Sequence, residues 1–76
     1  MFADQPEWVL ESRRELGRRI SDARMHADMT QEELEERTGI GRRTLQRIEA
    51  GANDAKIGHL LLIAHAVGVP LRDLLP

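Results

Sequence analysis

The chain has 76 residues, with 11 basic side chains against 13 acidic ones for a net charge of −2, no cysteine, no tyrosine, and a single Trp and Phe. A chain this short buries only about 60% of the surface its unfolded form exposes, so one small core of Leu, Ile, Val and Ala must supply stability without disulfides or aromatic bulk. Thiol chemistry and cysteine-based zinc sites are excluded, and no apolar run approaches the roughly 18 residues that a membrane-crossing helix needs.

From Pro6 to Ala27 the apolar residues Val9, Leu16, Ile20, Ala23 and Ala27 recur at helical steps and draw one stripe, with charged residues on the other faces. Pro6 suits a first helical turn and Asp4 is the candidate cap. Gly17 is expected to weaken this helix, and Trp8 to lie as a lid on the core rather than to make a second contact. Met29 to Leu34 carries a full start signal for a second helix: Thr30 as N-cap, Glu33 closing a capping box, and Met29 against Leu34 as a hydrophobic staple. That helix should run to about Thr38 and stop at Gly39, the residue best able to take a left-handed cap.

A short turn, Gly39-Ile40-Gly41, then leads into a third helix from Arg42 to Ala50, with Leu45 and Ile48 facing inward and Gly51 ending it. Residues 52–56 are small and polar, a loop in which Asn53 or Asp54 is available to cap the next helix. Ile57, Leu60, Leu61, Ile63, Ala64 and Val67 make that fourth helix strongly apolar, and Gly68 closes it. A fifth, short helix is expected near Pro70, with Leu71, Leu74 and Leu75 as its apolar residues. No linker, repeat or low-complexity segment interrupts the chain, so residues 1–76 are read as a single all-α domain.

Charge is distributed unevenly. Ten of the basic residues are Arg, four of them lie between Arg37 and Ile48 without an acid, and Glu32, Glu33, Glu35 and Glu36 crowd the segment before. Arg favours planar, bidentate recognition, although a GC-rich genome enriches it as well. Arg42 and Arg43 open a helix, where cations oppose the macrodipole by about 0.3 to 1 kcal/mol each. Violations of a local rule are expected at functional sites.

Two short helices around a glycine turn, the second with basic residues on its outer face, are what a major groove about 12 Å wide admits. With ELGRRISDAR in the first helix, TQEELEERTGI in the second, RRTLQRIEAG in the third and LLLIAHAVGVPLRDLL in the last two, nearly the whole chain resembles the Cro and phage-repressor (XRE-type) helix-turn-helix family. The resemblance implies a five-helix, lambda-repressor-like DNA-binding domain with the helix-turn-helix at about 30–50. It further implies base contacts from Arg42, Arg43, Gln46 and Arg47, and phosphate contacts from Gln31, Thr44, Asn53 and Lys56. Arg24 is implied to pair with Glu49.

Four positions depart from the family pattern. Glu35 stands where the family prefers alanine and must lean outward or pair with an arginine such as Arg43. Gly41 replaces the usual serine, and Ala50 and Ala52 offer only main-chain groups to a phosphate backbone. In the apolar run Leu60 to Ile63 not every side chain can face one core, so Leu62, with Val69, Leu71 and Leu75, is a candidate dimer surface, against the alternative of a helix buried nearly all round.

Nothing in the chain supports catalysis or a cofactor. His26, His59 and His65 have no metal-ligand spacing, Ser12 and Ser21 lack a triad, and no phosphate-binding loop precedes a helix. The expected protein is a cytoplasmic transcriptional regulator, a homodimer on an inverted repeat of double-stranded DNA. The alternatives are an antitoxin or restriction-modification controller, the former with a toxin as partner, and a protein-interaction module, joined to a partner or second domain, that keeps the fold without binding DNA.

Overall fold

The structure is a computed structural model in which residues 5–76 are described. Asp4, the expected cap of the first helix, lies outside those residues. Helix α1 runs over Glu7–His26, α2 over Gln31–Thr38, α3 over Arg42–Glu49 and α4 over Ile57–Val67. The fifth helix expected from the sequence is instead a single 3-10 turn, Leu71–Asp73. In a 3-10 turn residues three apart eclipse, so one turn after Pro70 suffices to bring Leu74 inward, where it is fully buried.

The core gathers one stripe from each helix: Ile20 of α1, Leu34 of α2, Leu45 and Ile48 of α3, and Leu60, Ile63, Ala64 and Val67 of α4, with Met29 and Ile40 from the connections. Leu16, Ala23 and Ala27 pack against it from the side, as the α1 stripe requires. At about 1.5 Å per residue, the 20 residues of α1 span about 30 Å, most of the molecule's 37 Å length. Trp8 sits in the first turn of this long helix and is 68% exposed. It is therefore no lid: a residue one step before Val9 is turned by about 100° from the apolar stripe.

Local chemistry sets the ends of α2. Thr30 accepts a hydrogen bond from the Glu33 backbone N–H at 3.0 Å, while the Thr30 N–H donates to Glu33 Oε1 at 2.9 Å, closing the capping box. Gly39 ends the helix at φ +74. Between α2 and α3, the buried Thr38 hydroxyl donates to the Leu34 carbonyl at 2.7 Å and accepts from the Ile40 N–H at 3.1 Å. It thereby satisfies groups that a helix end leaves unpaired. The expected caps of α4 do not form: Lys56 occupies its N-cap position without a side-chain bond, and Asp54 turns toward Arg13 at 3.7 Å.

Gly17 has a role opposite to the weakening expected of it. A methyl group in its place would lie 2.6 Å from the Ile48 carbonyl oxygen and closer still to that of Glu49, so the absence of a side chain is what lets α1 lie against the end of α3. Gly51, at φ +74, meets the Arg14 backbone in the same way, a Cβ there falling 2.7 Å from the Arg14 Cα. At the other end of the chain Arg19 donates to the Leu75 carbonyl at 2.6 Å and to Glu15 at 3.0 Å. These bonds tie the C-terminal residues to α1, and hydrogen bonds from Arg19 and then Arg18 hold the Glu15 carboxyl below its ordinary range.

Helix α4 is not buried all round. Its inner face is core, but Ile57, Leu61 and Leu62 are exposed, as is Leu75 beyond the 3-10 turn. Val69 and Leu71 are partly buried against the core. No described helix is long and apolar enough to cross a membrane.

Candidate nucleic-acid interface

Helix α3 has two sides with different chemistry. Leu45 and Ile48 are buried, so the positions turned away from them, Arg42, Arg43, Gln46 and Arg47, face solvent. Arg43, Gln46 and Arg47 stand at i, i+3 and i+4 and share one helical face. Arg43 and Arg47 are like charges one turn apart, an arrangement that destabilises an isolated helix by a few tenths of a kcal/mol. Among the described residues, no acid or side-chain acceptor engages any of the three.

The inner end of α3 is anchored by a polar cluster. Glu49 accepts from Arg24 Nε at 2.8 Å and from Arg24 Nη2 at 3.1 Å, a two-pronged pairing. The remaining arm of Arg24, Nη1, donates to the Met29 carbonyl at 2.8 Å. Both side chains are largely buried, and a carboxylate at a helix C-terminus is electrostatically disfavoured, so the guanidinium offsets both the burial and the dipole. One cation thus ties the end of α1, the approach to α2 and the end of α3 together.

Helix α2 lies across this arrangement with its first turn over α3. Gln31 Nε2 donates to Glu49 Oε1 at 3.1 Å, so the amide that the family resemblance assigns to a phosphate is held against α3. Glu35 does not pair with Arg43: it accepts from Arg42 Nε at 3.3 Å, and Glu32 lies 3.5 Å from Arg42 Nη2. Of the four side chains expected at base edges, the structure brings Arg43, Gln46 and Arg47 together on an open face and sets Arg42 against the acids of α2. Thr44 is half-buried on α3, while Asn53 and Lys56 lie on the segment after it, half-buried and exposed respectively.

Two contributors escape a reading of the sequence. The Thr38 hydroxyl fixes the turn between α2 and α3, and a buried Thr just before a helix-ending Gly is the signal that could have found it. Asp28 takes a left-handed φ of 56, allowing the Met29 N–H to reach back to the Arg24 carbonyl at 3.1 Å; nothing in its neighbours announces this.

Two short helices packed around a fixed turn, the second exposing a row of donors, define a helix-turn-helix. The helix-turn-helix family matches residues 20–74, and the chain belongs to it, within the Cro/C1 type of DNA-binding transcriptional regulators. A solved structure similar to it is that of the restriction-modification controller protein C.AhdI from Aeromonas hydrophila. That likeness has a TM-score of 0.77 at 24% identity over 80% of this chain and 92% of that one, and it establishes the fold. No curated protein sequence matches the chain.

Proposed function

We propose that residues 1–76 form one DNA-binding domain that inserts α3 into the major groove, with Arg43, Gln46 and Arg47 at the base edges. The observation that carries this reading is the acid-free outer face of α3, where two guanidinium groups stand without partners among the described residues. Each is suited to donate two hydrogen bonds to guanine O6 and N7. Thr44, Asn53 and Lys56 border that face along the chain and serve the phosphate backbone, as does the second amide hydrogen of Gln31, the first being held by Glu49, at the positive end of α2. The domain performs no chemistry on the DNA and acts in the cytoplasm.

Selection of bound sequences from a random duplex pool tests the reading. Arg43→Ala should then cost about 1 to 3 kcal/mol on the selected site and relax its specificity. Unchanged affinity would overturn the assignment.

The domain acts as a homodimer through α4 and the 3-10 turn, on an inverted repeat with half-site centres about 34 Å apart. The exposed apolar side chains Leu62 and Leu75 support this, together with the partly buried Val69 and Leu71. Sedimentation equilibrium should show a dimer at micromolar concentration, and a persistent monomer would remove the inverted repeat from the proposal. Within the regulator class, the likeness to a restriction-modification controller favours a controller role for this chain.

A further inference from the structure

Arg42 differs in setting from the other arginines of α3. It is the first residue of the helix, behind Gly41, which provides no side-chain cap, and the first turn of α3 holds no acid. The charge that offsets it comes from α2. Glu32 and Glu35, three residues apart and so on one face of that helix, address the same guanidinium at 3.5 and 3.3 Å, with Nε donating to Glu35. The Nε–Nη2 edge of Arg42 is thereby turned to α2, and a two-pronged contact to guanine through that edge requires leaving both carboxylates.

We propose that Glu35, supported by Glu32, is a specificity-determining residue that withdraws Arg42 from base reading and leaves Arg43, Gln46 and Arg47 as the reading set. The proposal rests on α3 being the base-reading helix. To present that edge to a base, Arg42 has to give up two carboxylates and leave them facing a polyanion. The free energy gained from guanine is offset by that loss, so the base pair nearest the start of α3 is read weakly or not at all. A side chain at position 35 without charge removes the offset and returns Arg42 to the groove.

The test is sequence selection followed by fluorescence anisotropy with wild type, Arg42→Ala, Glu35→Ala and the double variant, with Glu35→Gln as a variant that keeps the side chain's size. Wild type and Arg42→Ala should select the same motif, Arg42→Ala binding every sequence more weakly by a similar factor because Glu32 and Glu35 then face the phosphates unpaired. Glu35→Ala and Glu35→Gln should select that motif extended by a guanine at one further position, preferred about tenfold over other bases. The preference should vanish in the Glu35→Ala, Arg42→Ala double variant. Loss of an existing base preference in Arg42→Ala alone would show that Arg42 reads despite the acids and would overturn the proposal. So would an unextended motif in both Glu35 variants. Failure of the underlying reading looks different: wild type would then select no motif, or Arg43→Ala would bind as wild type does.

Discussion

The two sides of α3 use arginine in opposite ways. On the inner side Arg24 is buried, its donors are spent on Glu49 and the Met29 carbonyl, and its position is fixed. On the outer side Arg43 and Arg47 are exposed and have no partner among the described residues. The same guanidinium serves as a strut where its acceptors are built in and stands open, as a probe for a ligand would, where they are left out. Burial and pairing, rather than residue type, separate the structural cations from those open to a ligand.

Removing the strut should have the largest effect. Arg24→Ala leaves the Glu49 carboxylate buried beside a single amide donor, and breaking a buried pair from one side costs about 3 kcal/mol. Thermal denaturation should show a Tm lower by more than about 10 °C for a domain of this size, with DNA binding lost along with the fold. Arg43→Ala, by contrast, should leave the Tm of the free protein unchanged while weakening DNA binding. If Arg24→Ala kept the wild-type Tm, the division into strut and probe would fail.

The smallest effect concerns the start of α2. Bonds from the Thr30 backbone N–H and then its hydroxyl hold the Glu33 carboxyl below its ordinary value of 4.5. A group with a depressed folded pKa contributes stability that is complete above its unfolded value and lost as pH falls through its folded value. Glu33→Gln, which can still accept from the Thr30 N–H, should therefore flatten the dependence of Tm on pH below about 4.5 and leave it unchanged near neutrality. A Glu33→Gln acid limb as steep as that of wild type would show that the capping carboxylate carries none of it.

Much of this fold is legible in the sequence because its signals are local. The Thr30 and Glu33 capping box, the Gly39 stop and the apolar stripes of α1 and α3 each depend on residues within a few positions of one another. The features that escape depend on how helices cross. Arg42 and Arg43 both lie near Glu35 in sequence, and only the packing of α2 on α3 decides which of them it meets. The place of Gly17 against the carbonyls of residues 48 and 49 is likewise invisible from within α1, where a glycine is simply a poor helix former. Trp8 misleads by its size, since an aromatic side chain suggests burial while its angular position on α1 denies it. The leucines of the last segment suggest a full helix, yet burying Leu74 requires only one turn.

The contact at Gly17 bears on how such a protein changes over time. Helix α3 is seated through Leu45 and Ile48 in the core, through main-chain atoms against α1 and through its last carboxylate, while the side chains of Arg43, Gln46 and Arg47 play no part in its seating. Those three positions are exchangeable without moving the helix that displays them, so, on the proposed reading of α3, a lineage carrying this scaffold would acquire new target sequences by point substitution while its mount stays intact.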